Sequence, residues 1–204
     1  MTMLEGGCPT VLNAVTVYCG SSRGRGAKYM EVAQDFGRRL AAENLRLVWG
    51  GGDLGLMGEV SRMVQQCGGE VEGYIPQHLT EKEKPSRAAN VTLTPDMHTR
   101  KWSMYKSGDG LAILPGGIGT LEEFFEMLTW NQLGLHSKPM VVLNLYGFWD
   151  PLFALLKHLQ EQGFIPDRIK YDCLYEVDRV EAILPTMREH LQTRNVVRLQ
   201  GAAS

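Results

Sequence analysis

Cysteine is scarce in this sequence, and its spacing excludes two common kinds of scaffold. The 204 residues include four cysteines, which lie far apart and form no C-x-x-C pair. A disulfide-stapled domain needs a denser set of cysteines, and the usual structural zinc site needs closely spaced ligands. We therefore expect reduced thiols, no metal site and a cytoplasmic protein.

Long apolar runs and an excess of charge of either sign are also missing. No run approaches the roughly 18 apolar residues that span a bilayer, and residues 1–13 lack the basic region and apolar stretch of a signal peptide. The 21 basic and 23 acidic residues give a formal net charge of −2. This balance favours neither nucleic acid nor an anionic membrane surface as a partner.

The apolar pattern predicts the fold class. Apolar residues make up 44% of the chain, which is ordinary for a globular domain. Continuous apolar runs alternate with longer amphipathic segments, as in a parallel sheet covered on both faces. We predict a doubly wound α/β sandwich with strands at 14–19, 45–49, 70–75, 91–93, 110–114 and 139–144, and helices at 27–43, 56–67, 97–107, 121–133, 151–162 and 180–192.

No repeat or linker divides this pattern. We expect a single domain over residues 14–192, with an N-terminal extension at 1–13 and a C-terminal tail at 193–204. The polar segment 81–90 is predicted to be a surface loop.

Glycine, in contrast, is abundant, with 23 residues in all. Three turns concentrate it, at residues 20–24, 50–58 and 116–119, and each lies between a predicted strand and a predicted helix. In a parallel sheet such turns share the carboxyl edge, where ligands bind. Glycine lets backbone N–H groups approach a ligand, and the following helix N-terminus attracts anions. The three turns predict a phosphate-bearing ligand, and structural glycines in tight turns are the alternative.

The second turn also matches the dinucleotide fingerprint. Gly50, Gly52 and Gly55 fit G-x-G-x-x-G, and Glu70 or Glu72 lies about 20 residues further on. That fingerprint belongs to the first strand–helix unit, whereas this turn is in the second. A nicotinamide-dependent oxidoreductase is therefore kept as an alternative.

The predicted helix 121–133 has two unlike faces. One stripe should face the sheet, and it comprises Leu121, Phe124, Phe125 and Leu128. The opposite face mixes carboxylates with large apolar groups, namely Glu123, Glu126, Met127, Trp130 and Leu133. Such a mixture predicts burial against a second copy of the chain, hence a homodimer. Thr120 is expected to cap this helix.

Two cations begin the helix predicted at 97–107. Arg100 suits fork-like recognition of phosphate or carboxylate, and Lys101 acts as a point charge. Ordinary surface charge is the alternative reading for both. The isolated His98 and the partnerless Cys19 are not predicted to be catalytic.

Several motifs occur together and in the order of a known family. Residues 115–123 read P-G-G-I-G-T-L-E-E, and residues 97–101 read M-H-T-R-K. They fit the patterns P-G-G-x-G-T-x-x-E and M-x-x-R-K, and the segments at 19–22, 50–58 and 129–139 also match. From about Val15 to about Phe164 the chain resembles the LONELY GUY family of cytokinin riboside 5′-monophosphate phosphoribohydrolases, often labelled lysine decarboxylase-like.

The resemblance implies a Rossmann-like, three-layer αβα fold and a homodimer. It implies hydrolysis of the N-glycosidic bond of an adenine-type nucleoside 5′-monophosphate to free base and ribose 5-phosphate, without cofactor or metal. It argues against decarboxylation, which commonly uses pyridoxal phosphate on a lysine. A general nucleoside-monophosphate nucleosidase, AMP nucleosidase included, and a non-catalytic nucleotide-binding module are the alternatives.

The resemblance also assigns roles to residues. It implies that Arg100 and Glu123 are the catalytic pair. Together with the glycine turns it predicts contacts to substrate or phosphate from Gly20, Ser21, Ser22, Gly51, Gly52, Met97, Lys101, Gly116, Gly117, Ile118, Gly119, Thr120, Leu121, Glu122 and Thr129. Asp53 stands where many members of the family carry serine or another residue, and His78 stands where some plant members have a glutamate that contacts substrate. These two departures concern the preference for particular N6-substituted bases more than the reaction itself.

Overall fold

The computed structural model describes residues 9–83, 90–166 and 172–201. The strands are β1 Ala14–Tyr18, β2 Arg46–Trp49, β3 Val71–Pro76, β4 Asn90–Thr94, β5 Gly110–Ile113, β6 Met140–Leu143 and β7 Leu174–Val177. The helices are α1 Lys28–Ala42, α2 Gly55–Gln66, α3 Thr80–Glu83, α4 Met97–Ser107, α5 Ile118–Gln132, α6 Asp150–Glu161 and α7 Ile183–Gly201. Short 3₁₀ turns precede α3, α6 and α7.

The seven strands form one parallel sheet in the order β4-β3-β2-β1-β5-β6-β7. The chain starts at the centre, builds outward through β4, and then returns to the other side of β1. The direction of winding therefore reverses between β1 and β5. A crevice opens at the carboxyl ends of strands at such a reversal, and it is where ligands bind in this architecture. The predicted doubly wound sheet is confirmed.

Both faces of the sheet are covered, which explains the continuous apolar strands. Every residue of β1 is buried. Val15 and Val17 pack on the side of α1, α2 and α7, whereas Ala14 and Tyr18 pack on the side of α4, α5 and α6. Within the described residues, no helix has the length and apolar character needed to cross a bilayer.

Besides α5, which is described below, β7, α3 and the last helix differ from the sequence prediction. The edge strand β7 was not predicted, because it has only four residues, L-Y-E-V, in which the exposed glutamate interrupts the apolar run. The short α3 occupies the start of the predicted loop 81–90, of which residues 84–89 lie outside the described residues. The last helix continues to Gly201, past its predicted end at Gln192.

Helix α5 begins earlier than predicted, which corrects the role of Thr120. The N-cap is Gly117, with no side-chain hydrogen bond, so Thr120 lies in the first turn and does not cap the helix. The helix can start early because glycine is tolerated at the N-cap position. Since glycine has no side chain to bond them, the first N–H groups of the helix are left to face a ligand.

The faces of α5 also differ from the prediction. Glu123 and Met127, expected on the outer face, are buried together with Phe124 and Leu128. Trp130 packs edge-on against Trp102 and Tyr105 of α4, with ring centroids 5.8 and 5.3 Å apart. Several groups that predicted a second copy thus have partners within the chain, although Leu133 remains 66% exposed.

Candidate active site

A cleft of about 350 Å³ lies where the winding of the sheet reverses. The turn after β1 forms one wall, and the turn after β5 with the first turn of α5 forms the facing wall. The lining residues are Cys19, Gly20, Ser21, Ser22, Gly24, Tyr29, Leu56, Met57, Arg100, Pro115, Gly116, Gly117, Ile118, Gly119, Thr120, Glu123 and Phe148. The cleft thus combines the first and third glycine turns with the predicted catalytic pair.

Close backbone packing holds the glycine turns together. The Gly20 N–H donates to the Pro115 carbonyl at 3.1 Å, and the Leu56 N–H donates to the Gly20 carbonyl at 3.0 Å. Gly55 has a φ of +56°, and a Cβ there would lie 2.3 Å from the carbonyl carbon of Ser21. The second turn therefore serves to press the start of α2 against the first turn.

The N-terminus of α5 opens onto the cleft. The first N–H groups of a helix have no acceptor within the helix and carry the positive end of its dipole. A Cβ added at Gly117 or at Gly119 would meet no other part of the described residues within 4 Å, so the space around these two glycines is open. The arrangement suits an anion such as a phosphate.

Arg100 is buried beside the cleft, with 4% of its surface exposed. Its Nε donates to the Tyr74 carbonyl at 3.1 Å, and its Nη2 donates to the Gly50 carbonyl at 3.2 Å. Tyr74 lies within β3 and Gly50 directly follows β2, so the sheet itself fixes the plane of the guanidinium. The remaining nitrogen, Nη1, lies 3.8 Å from Oε1 of Glu123.

Glu123 is the acidic group of the cleft. It projects from the inner face of α5 and is 8% exposed. The neighbouring Cys19 thiol has its pKa raised, first by burial and then by the charge of Glu123. A protonated thiol is a poor nucleophile, so Cys19 is not an activated nucleophile.

Lys101 points away from the cleft. Its Nζ lies 3.0 Å from Oε1 of Glu126 and also contacts the Glu122 carboxylate. Burial alone lowers the pKa of Lys101, but the hydrogen bonds to the two carboxylates outweigh burial, so the net pKa is raised. Lys101 therefore joins α4 to α5, and the geometry of this single cleft does not support a contact to substrate.

Six more of the predicted substrate contacts are outside the lining of the described cleft, namely Gly51, Gly52, Met97, Leu121, Glu122 and Thr129. The Gly52 carbonyl accepts the Trp49 indole N–H at 3.1 Å, and Thr129 Oγ1 donates to the Phe125 carbonyl at 2.7 Å. Nη1 of Arg100 donates to the Met97 sulfur at 3.9 Å.

An aromatic wall was missed by the sequence reasoning. Tyr29 of α1 and Phe148, which follows β6, pack edge to face with ring centroids 5.7 Å apart. Leu56 and Met57 extend the apolar lining. The position of Phe148 after a predicted strand was an available signal, because that position shares the carboxyl edge of the sheet.

The two departures from the family pattern lie outside this lining. Asp53 pairs with Arg62 at 2.7 Å, so its charge is compensated beside α2. His78 is exposed in the 3₁₀ turn after β3. Among the described residues, no three His, Cys, Asp or Glu side chains cluster closely enough to hold a metal ion.

Comparison with known proteins identifies relatives that span most of the chain. The model of a family described as possible lysine decarboxylase matches residues 57–187. A cytokinin riboside 5′-monophosphate phosphoribohydrolase of Rhodococcoides fascians is 44% identical over 154 residues, which cover 74% of this chain and 78% of the relative. Proteins of the same name from Arabidopsis thaliana and Oryza sativa subsp. japonica are 43% and 40% identical, covering 74% and 86% of this chain and 71% and 69% of theirs.

Solved structures of lower identity share the fold. A molybdenum cofactor carrier protein from Chlamydomonas reinhardtii has a TM-score of 0.67 at 18% identity, covering 90% of this chain and 99% of its own. A molybdenum cofactor binding protein from Rippkaea orientalis has a TM-score of 0.65 at 20% identity, covering 88% and 97%.

Proposed function

Because the chain belongs to the LONELY GUY family of cytokinin riboside 5′-monophosphate phosphoribohydrolases, we propose that its cleft hydrolyses the N-glycosidic bond of an adenine-type nucleoside 5′-monophosphate. The products are the free base and ribose 5-phosphate. The observation that carries the proposal is the Arg100–Glu123 pair, 3.8 Å apart, in the same cleft as the N-terminus of α5.

The 5′-phosphate binds at the N-terminus of α5. Backbone N–H groups of residues 117–120 face it from one side, and the Ser21–Ser22 turn faces it from the other. Glu123 follows Ile118 by five residues, about 7 Å along the helix axis. This separation is comparable with that between the phosphate and the anomeric carbon within one nucleotide.

Glu123 acts at the anomeric carbon. Cleavage moves the electron pair of the glycosidic bond onto the base nitrogen and leaves positive charge on the ribose. The carboxylate stabilises that charge and takes a proton from the attacking water, whose oxygen bonds to the anomeric carbon. The departing base takes up a proton from solvent, and Glu123 then releases its proton to solvent, which restores the carboxylate.

Arg100 orients Glu123 and the sugar relative to each other. Two of its nitrogens are fixed by backbone carbonyls, so the third is held toward Glu123 and the sugar. The aromatic wall of Tyr29 and Phe148 supplies an apolar surface for the base.

The cleft does not fit the decarboxylation that the family description names. That chemistry commonly needs a lysine to hold pyridoxal phosphate. No lysine is among the described residues that line the cleft. The buried Lys101 and Lys138 are engaged elsewhere, the first with carboxylates and the second with the carbonyls of Tyr105 and Gly108.

Gly50→Ala is expected to lower kcat/KM about a hundredfold, because the new Cβ would lie 2.0 Å from Arg100 Nη2 and would move the guanidinium. Steady-state kinetics with the nucleoside monophosphate measures the loss. The urea midpoint of unfolding, measured in parallel, separates a displaced arginine from a misfolded protein. Unchanged kinetics would show that the position of Arg100 is unimportant.

We propose that the chain acts as a homodimer in the cytoplasm. Ile118 and Leu133, at the two ends of α5, are 82% and 66% exposed. The family resemblance predicts that Glu122 and Thr129 contact substrate, but both lie outside the lining of the cleft in their own chain. In a dimer they would contact the substrate that is bound by the second copy. Within the part of the chain that the structure describes, Cys19 and Cys67 form no disulfide bond, which fits a reducing compartment.

Light scattering after gel filtration is expected to give twice the chain mass of 22.8 kDa. Leu133→Glu is expected to shift the protein toward the monomer, because it places a charge on the exposed apolar end of α5. Leu155→Glu, at a 47% exposed position on α6, serves as the matched control. A wild-type monomer would contradict the dimer.

A substrate panel tests the proposed function. Isopentenyladenosine monophosphate, AMP and a pyrimidine monophosphate are compared by liquid chromatography of the released base. Faster cleavage of the N6-substituted nucleotide supports cytokinin activation, whereas equal rates indicate a general nucleosidase. Tight binding of every nucleotide with no released base would leave a non-catalytic binding module.

A further inference from the structure

Tyr18 carries a buried hydroxyl that no part of the proposed mechanism uses. It is the last residue of β1, directly before Cys19 of the cleft, and 1% of its surface is exposed. Its hydroxyl has no hydrogen-bond partner among the described residues. Buried polar atoms in proteins nearly always have a partner, so this exception calls for an explanation.

The Tyr18 side chain lies on the face of the sheet that is covered by the helices carrying Arg100 and Glu123. Tyr18 packs on the sheet face that α4 and α5 cover, in one apolar cluster with Met104, Phe124 and Met127. The charged groups that act on the hydroxyl are three carboxylates of α5 and one guanidinium of α4, namely Glu123, Glu126, Glu122 and Arg100.

A second buried atom in the same layer is also without a partner. Oε2 of Glu126 accepts no hydrogen bond from the described residues, while Oε1 of Glu126 is paired with Lys101. Among the described residues, a buried hydroxyl without an acceptor and a buried carboxylate oxygen without a donor therefore belong to the layer formed by β1 and α5. A hydroxyl that donates there would satisfy polar groups whose burial is otherwise unfavourable.

The charge balance of this layer explains why a donor matters. Glu122, Glu123 and Glu126 on α5 carry three negative charges, against the positive charges of Arg100 and Lys101 on α4. Lys101 forms ion pairs with Glu122 and Glu126, and Nη1 of Arg100 lies 3.8 Å from Oε1 of Glu123. Burial, and then the charge of Glu123, raise the pKa of Tyr18, so its hydroxyl keeps its proton throughout the working pH range.

We propose that Tyr18 is a positioning residue for the Arg100–Glu123 pair. When substrate is bound, the Tyr18 hydroxyl donates a hydrogen bond to the carboxylates of α5 and holds Glu123 ionised and turned toward the sugar. Catalytic hydrogen bonds are often long in substrate-free structures and tighten in the complex. The inference rests on the proposed function, because it assigns Tyr18 a role in that reaction.

The test is the pH dependence of kcat and of kcat/KM for Tyr18→Phe, which removes one oxygen and keeps the ring. The groups that titrate near the carboxylate are Glu122, Glu126, Tyr18 and Cys19, beside the fixed charges of Arg100 and Lys101. Loss of a donated hydrogen bond favours the protonated carboxyl. The acidic limb of the profile is therefore expected to move to higher pH by about one unit, and kcat at neutral pH is expected to fall about fivefold with little change in KM.

Two comparisons make the test specific. Tyr175→Phe is the matched control, because the Tyr175 hydroxyl bonds His190 on the β7 edge of the sheet and its removal should leave the profile unchanged. Thermal unfolding of Tyr18→Phe is expected at or above the wild-type temperature, because the lost hydroxyl had no partner. A packing role for the hydroxyl would instead lower stability.

The outcomes separate the two proposals. If wild-type protein releases no base from any nucleotide, the proposed function fails. If wild-type protein is active and the Tyr18→Phe profile has an unmoved acidic limb, whatever the overall rate, the role of Tyr18 is overturned while the function stands. A shifted limb in Tyr18→Phe, absent from Tyr175→Phe, supports the assignment.

Discussion

Glu123→Gln is expected to lower kcat about a thousandfold, with nucleotide affinity changed by less than about threefold. The amide keeps the size of the side chain but neither stabilises a positively charged ribose nor accepts a proton from water. The phosphate contacts lie at the other end of the cleft, so binding should survive. Initial rates of base release and the Kd for AMP, measured by calorimetry on both proteins, check the two halves of this expectation.

Glu161→Gln provides the matched control for Glu123→Gln. Glu161 is exposed at the end of α6, where it pairs loosely with Lys157 at 3.7 Å. Its replacement should leave both kcat and Kd unchanged. Full activity in Glu123→Gln would remove the carboxylate from the mechanism, and loss of binding in the same variant would place Glu123 in substrate recognition instead.

Adenosine is expected to be hydrolysed at least about a thousandfold less efficiently than AMP in terms of kcat/KM. The 5′-phosphate gains hydrogen bonds to charged acceptor oxygens at the N-terminus of α5, each worth about 1.5–3 kcal/mol. This binding energy orients the sugar against Glu123, so its loss lowers kcat as well as raising KM.

Parallel kinetics with AMP, adenosine, and adenosine plus inorganic phosphate measure this preference. Inorganic phosphate is also expected to compete with AMP, because it fits the same helix end. Equal kcat/KM for AMP and adenosine would show that the glycine turns and the α5 terminus have no part in catalysis.

The sheet could be predicted because its strands are buried on both faces. Continuous apolar runs such as A-V-T-V-Y in β1 leave little alternative to a covered parallel strand. Strand β7 was not predicted because it is only four residues long and its exposed glutamate interrupts the apolar run. Its place in the sheet comes from pairing with β6, which no local pattern of residues 174–177 encodes.

The site was predictable where backbone motifs define it and less so where side-chain packing does. The turns at 20–22 and 116–120 lie in the cleft because strand ends fix their edge. The direction of Lys101, next to Arg100 in sequence, depends on the carboxylates of Glu122 and Glu126 across the helix interface. Met127 was placed on the wrong face of α5 because α4 and α6 extend the buried arc beyond the stripe that faces the sheet.

Simultaneous quantification of free base and ribose 5-phosphate from isopentenyladenosine monophosphate and AMP tests the proposed hydrolysis directly. We expect hydrolysis to give equal molar amounts of the two products, formed without added phosphate or cofactor and reduced about a thousandfold by Glu123→Gln. Release of base only when inorganic phosphate is added, or no release from either nucleotide by the purified protein, would contradict it.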